Sequence, residues 1–250
     1  MHNLGLVGAL VQTVSYIYVM KAVAKIFFLL SLLLSFAKLP AQVPVKYFNR
    51  SGYTAADSIR LLKEYGRNKT LIPQFALPTL VALSYFPELK DTRITFIIKP
   101  AHSPLCTNPR FKGIFSRKTR MFTIIISDST MWKLEPITLS HMAFNIQIGV
   151  LGHELSHVSD FLRRSFTNLT GTGIGHVSSK YIDRFEYNTD SICIDHGLGY
   201  QLLAWSMFVR KTLGTSNYDG ADNIDKPMMH ERYMNPETII ARMKNNLIYK

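Results

Sequence analysis

Residues 150–160 read VLGHELSHVSD, with two histidines four apart and a glutamate directly after the first. Ile146, Val150, His153 and His157 stand at i, i+4, i+7 and i+11, a single stripe along a helix, and the pattern predicts a helix from Thr138 to Arg164. That stripe faces the core, where an imidazole without a partner is costly to bury. Taken singly, each histidine reads as a satisfied core residue. Taken together with Glu154, the pair reads as a metal site. Residues four apart sit one above the other, so both rings can reach one ion. Glu154, turned by about 100°, can hold a water beside it.

A catalytic zinc needs a third protein ligand and an open fourth position. The metzincin extension requires Gly at 160 and His at 163, where this chain has Asp160 and Arg163. The aspartate-ligand families place their acid soon after a Gly-Thr pair; Gly171-Thr172 is present, but Gly175 holds the position of the acid. There remains FEYNTDSICID at 185–195, where Glu186 and Asp190 are four apart in a helix predicted from about Val177 to His196. Its core stripe is Ile182, Phe185, Glu186, Thr189 and Cys193, which sets a carboxylate among apolar neighbours. A buried carboxylate has to be paired, hydrogen-bonded or metal-bound. The competing reading of Glu186 and Asp190 is a solvated helical face.

With HELSH at 153–157 and Glu186-x-x-x-Asp190 on the next helix, the chain resembles the gluzincin class of zinc metallopeptidases, most closely the subgroup with an ExxxD second motif. The resemblance covers about 40 residues, from 150 to 190. It implies one Zn2+ held by His153, His157 and Glu186, with Glu154 as general base and Asp190 orienting a ligand histidine. It also implies a zincin-like α+β fold, in which a small β-sheet precedes the active-site helix and a mainly helical half follows. The several membrane helices of the subgroup's proteases are missing, so the likeness does not extend to the whole chain. For the oxyanion donor the candidates are His176, Tyr200, His230, Arg232 and Tyr233. Tyr233 and His230 are preferred, because HERY at 230–233 returns late in the chain after a polar loop.

Around the motif, TAADSIRLLKEYG predicts a helix capped by Thr54 and stopped by Gly66, with Ile59, Leu61, Leu62 and Tyr65 as its apolar face. A second helix is predicted over Ala76 to Phe86. Two β-branched runs, RITFIIKP at 93–100 and MFTIIISD at 121–128, predict two strands of a small sheet. The second is expected at the sheet edge beside the site, where an extended peptide could add to it. That favours a peptide or protein substrate. After the Gly-marked loop at 171–175 come helices to about Leu213, then a polar loop and a last helix from Pro236.

The chain has 250 residues, 47% of them hydrophobic, enough for one full core. Residues 1–41 read as a secretory signal peptide, with Lys21 and Lys25 before the apolar run Ile26 to Phe36 and small residues up to Ala41. The alternative is an N-terminal membrane anchor, since Leu4 to Met20 adds a second apolar run. Residues 42–250 then form a single metallopeptidase-like domain, exported to a periplasmic, extracellular or outward-facing membrane site. The formal charge is +12. Loss of Lys21, Lys25 and Lys38 leaves the domain basic, but SRKTR at 116–120 and Arg163-Arg164 are short and lack interleaved aromatics, so no nucleic-acid partner is expected. Two other classes remain open at this point, a catalytically silent zinc-binding module of the same fold and a nucleic-acid-associated protease. The two cysteines, Cys106 and Cys193, exclude a cysteine-rich zinc site. Cys193 reads as a core residue, a disulfide partner of Cys106 or a thiolate ligand, with the first preferred.

Overall fold

A computed structural model describes residues 43–110, 112–113, 116, 118–165, 178–220 and 231–250, together with Lys21, Val23 and Lys25. The chain divides into two compact units, Met1–Pro40 and Ala41–Lys250. The second is an α+β unit. Its helices are α1 (Ala55–Tyr65), α2 (Ala76–Ser84), α3 (Phe144–Arg163), α4 (Ser179–Asp195), α5 (Gly199–Leu213) and α6 (Pro236–Asn245). Its strands are β1 (Lys69–Thr70), β2 (Arg93–Ile98), β3 (Leu105–Pro109) and β4 (Met121–Ile126). No described helix is long and apolar enough to cross a membrane. Apart from Lys21, Val23 and Lys25, the proposed signal segment lies outside the described residues, as does the loop at 171–175.

The sheet runs in the order β1-β2-β4-β3, with β1, β2 and β4 parallel and β3 antiparallel to β4. Both expected strands form, as β2 and β4, and β1 and β3 complete the sheet. One expectation is corrected: MFTIII lies inside the sheet, paired on both sides. Its alternate residues Phe122, Ile124 and Ile126 form one buried face of the sheet, while Met121 and Thr123 on the other face are half-buried. The edge strand beside MFTIII is β3, LCTNP, which is short and ends in proline, as suits an edge; β1 forms the other edge.

The N-terminal helix forms where its caps predict. Thr54 and Asp57 make a reciprocal capping box, and Gly66 follows the last turn. Its apolar face is narrower than expected: Leu61 is buried, but Ile59 and Leu62 are exposed. The region before the motif also differs, since the helix expected from Thr138 begins only at Phe144, after 3-10 turns at Glu135–Ile137 and Leu139–His141.

Helix α3 is the hub, against which α2, α4, α5 and β3 all pack. Every residue from Ile148 to Ser159 is buried, so this helix is enclosed on all sides and has no solvated face. Two glycines make that enclosure possible. A Cβ on Gly149 would lie 2.2 Å from the Gln201 carbonyl oxygen at the start of α5, and one on Gly152 would meet Cys193 Sγ and Leu198. Cys193 is fully buried in this contact and both cysteines are free, which fits the core reading and gives no bridge.

The C-terminal end of α3 is tied down by charge. The guanidinium of Arg120, buried and not the solvated turn residue expected from SRKTR, donates to the carbonyls of Phe161 and Arg164 at 2.7 and 2.8 Å. A cation there complements the helix C-terminus. Glu88 accepts hydrogen bonds from Ser159 on α3 and His196 at the end of α4. Burial pushes the Glu88 carboxyl up, but these bonds and the His196 charge outweigh it and hold it at about 2.

Gly149→Ala is expected to destabilise the protein by roughly 2–4 kcal/mol, because backbone of α5 cannot yield as a side chain would. Chemical denaturation of the variant beside Ser58→Ala, a change on the exposed N-terminal helix, measures it; equal midpoints would contradict the close packing of α3 on α5.

Candidate metal centre

His153 and His157 project from consecutive turns of α3, and α4 lies across them so that Glu186 and Asp190 face the two rings. His153 Nδ1 lies 2.8 Å from Asp190 Oδ1, and His153 Nε2 lies 3.1 Å from Glu186 Oε2. The same Glu186 oxygen is 3.2 Å from His157 Nε2. These side chains are nearly removed from water, with 3% of His153, 8% of His157 and 13% of Glu186 exposed. Ligand atoms of the three residues all lie within 4.8 Å of one another.

Hydrogen bonding behind the rings decides which nitrogen faces the centre. Asp190 is an acceptor, so the proton on the far side of His153 sits on Nδ1. Asp190 is itself fixed, because its other oxygen accepts the Met234 backbone N–H at 2.7 Å. At His157, Nδ1 meets the Thr189 hydroxyl at 3.2 Å, and that hydroxyl spends its one hydrogen on the Phe185 carbonyl at 2.9 Å. Toward His157 it can therefore only accept, which places a proton on Nδ1 and leaves Nε2 toward Glu186. Two Nε2 lone pairs and a carboxylate oxygen cannot converge at 3.1–3.2 Å without a positive charge among them.

The pKa shifts express the same demand. Burial lowers the His153 imidazole, but Asp190 and Glu186 outweigh it and hold its pKa well above the ordinary value. Burial also pushes Glu186 up, and the charges and hydrogen bonds of His157 and His153 outweigh it, so the carboxyl stays far below the usual carboxylate range. A divalent ion held there would supply the required charge in place of the proton. At bond lengths of ~2.0–2.2 Å, a tetrahedral ion sets its ligand atoms ~3.4 Å apart. The two contacts to Glu186 are already close to that spacing.

A cavity of about 180 Å³ opens beside the triad, with His153, Glu154 and Glu186 in its wall. Trp205 and Tyr233 flank the His153 ring at 5.5 and 5.6 Å, and Tyr218 stacks on Tyr233 at 5.3 Å. Burial, and after it the negative charge of Glu186, pushes both phenols up, so they stay protonated donors. Glu154 is buried with the rest, 5% exposed, and turns toward strand β3. Its Oε2 accepts from Thr107 Oγ1 at 2.7 Å.

The structure thus brings together His153, His157, Glu186, Glu154, Asp190 and Tyr233. Of the other oxyanion candidates, His230 and His176 lie outside the described residues. Tyr200 packs edge-on against Tyr249. Arg232 lines the cavity, but it is a buried strut that donates to Asp183 Oδ1 at 2.8 Å and to the Asp219 carbonyl at 2.9 Å. Sequence reasoning missed Thr107, Trp205 and Tyr218 as neighbours of the site, and it placed Thr189 on the core stripe without seeing that it sets the His157 tautomer. No protein-family model, curated protein or solved structure matches the chain.

The purified chain is expected to take up one divalent ion, and His157→Ala to lose it. Equilibrium dialysis with elemental analysis gives the stoichiometry, and the thermal midpoint should rise with added metal for the parent chain only. Tight stoichiometric binding by a folded His157→Ala chain would remove His157 from the ligand set.

Proposed function

We propose that the chain is a zinc-dependent peptidase with a zincin-like arrangement, in which His153, His157 and Glu186 hold one Zn2+. The observation that carries this reading is the gathering of two Nε2 atoms 3.1 and 3.2 Å from one Glu186 oxygen, with Glu154 in the wall of the adjoining cavity. Two imidazoles and a carboxylate match a catalytic zinc better than a hard-cation cage of oxygens or a closed thiolate site. A purely structural site has no use for a further acid at that position.

Zinc bound there supplies Lewis acidity and a coordinated water whose pKa is brought to ~7. Glu154 accepts the proton of the attacking water and passes it to the leaving amine. Asp190 and Thr189 keep the two imidazoles in the tautomer that presents Nε2. The Tyr233 hydroxyl, protonated and beside His153, is the donor for the developing oxyanion. An extended peptide lies along β3, the strand that pairs only with β4 among the described residues, and gains main-chain hydrogen bonds there. In this reading the apolar N-terminal segment carries the domain out of the cytoplasm, as a cleaved signal or as a membrane anchor.

Glu154→Gln should keep its zinc and lose roughly 10²-fold or more of the peptide-hydrolysis rate, as removal of a general base predicts. A peptide-library digest followed by mass spectrometry, with zinc content measured on the same samples, is the test. Unchanged turnover would take Glu154 out of the mechanism. A zinc-loaded parent chain that cleaves no peptide would overturn the peptidase reading.

A further inference from the structure

The side chain nearest the proposed base comes from the sheet, not from the helices that build the metal centre. Thr107 is the middle residue of β3, and its hydroxyl lies 2.7 Å from Glu154 Oε2 and 3.1 Å from the Glu154 carbonyl oxygen. A hydroxyl has one hydrogen to give. The contact to the carboxylate is the shorter and is charge-assisted, so the hydrogen goes there. Glu154 Oε1 accepts no hydrogen bond from any described residue, and Glu154 forms part of the cavity wall.

From this we infer that Thr107 is a positioning residue: it engages one carboxylate oxygen of Glu154 and thereby turns the other toward the metal centre. The inference rests on the reading of Glu154 as the base at a metal site. Thr107 is itself well held. Its strand pairs with β4 from Leu105↔Ile126 to Pro109↔Phe122, with Thr107 opposite Ile124. Beyond the strand, Ser127 N–H donates to the Pro104 carbonyl and Arg110 N–H to the Met121 carbonyl, both at 2.8 Å. A β-branched side chain on such a strand has a restricted χ1, so the direction of its hydroxyl is set by the backbone. Support of this kind fixes a reacting group to the fraction of an ångström that proton transfer needs. Without it, a free Glu154 side chain spreads over rotamers in which neither oxygen reaches the water.

Thr107→Val keeps the shape and removes the donor, whereas Thr107→Ser keeps the donor. In the full chain, Thr107→Val should bind one zinc and melt close to the parent, while kcat falls about 10-fold or more and KM changes little. Thr107→Ser should recover kcat to within about 3-fold of the parent. A readout independent of turnover is the visible spectrum of the cobalt(II)-substituted protein at fixed pH, which reports the surroundings of the open metal position. Thr107→Val should shift its bands in the same direction as Glu154→Gln, and Thr107→Ser should leave them where they are. If Glu154→Gln loses turnover while Thr107→Val matches the parent in kcat and spectrum, the positioning role is overturned and the peptidase reading stands. If the parent cleaves no peptide but the spectra of Thr107→Val and Glu154→Gln shift together, the peptidase reading falls and the positioning of Glu154 stands.

Discussion

Helix α3 is buried on every side and still carries two imidazoles and a carboxylate at its centre. Most of the structure around it answers that constraint. A buried polar group without a partner costs several kcal/mol, and a buried charge costs more. Each of the three groups is met from a neighbouring element: Asp190 and Glu186 of α4 on His153, Thr189 of α4 on His157, and Thr107 of β3 on Glu154. These contacts fix how α4 and the sheet must sit against α3, so the polar centre specifies the packing as well as the chemistry. Gly149 and Gly152 serve the same end, by letting α5 and the end of α4 close over the helix.

The segments on either side of the undescribed stretch 221–230 are drawn into this arrangement. Arg232 bridges Asp183 of α4 and the Asp219 carbonyl, and Met234 donates its N–H to Asp190. Together they hold the segments that carry Tyr218 and Tyr233, both of which line the cavity with Leu105 of β3. The cavity wall thus combines an edge strand with aromatic rings, on supports that belong to strands, helices and buried ion pairs. Rigid support is what a catalytic constellation needs if its groups are to stay within about 0.5 Å of a productive geometry.

The juxtaposition of the candidate metal-holding residues was legible in the sequence because helical spacing is a strong signal. His153 and His157 four apart, and Glu186 and Asp190 four apart, each define one face of one helix, and a carboxylate within an apolar stripe has few physical explanations. The mixed α+β character and most helix positions were legible from apolar periodicity, caps and glycines, such as Thr54 and Gly66. Strand β3 was not. LCTNP has no alternation, contains a proline and is half-exposed, so it reads as a loop, and with it went Thr107 and the location of the sheet edge. Ile59 and Leu62 misled in the other direction, since periodicity marks an apolar face without saying how much of it a neighbour covers. Arg120 and Thr189 owe their roles to partners at least 32 positions away in sequence, which no local pattern reports.

The central claim is that a single metal ion satisfies the charge demanded by His153, His157 and Glu186. Its most direct test is a crystal structure of the zinc-soaked chain with anomalous data collected on both sides of the zinc absorption edge. The account predicts one strong peak, ~2.0–2.2 Å from Nε2 of each histidine and from a Glu186 oxygen, with the Nδ1 contacts to Asp190 and Thr189 retained. A peak at another place, or an ion that reaches only one of the three side chains, would contradict it.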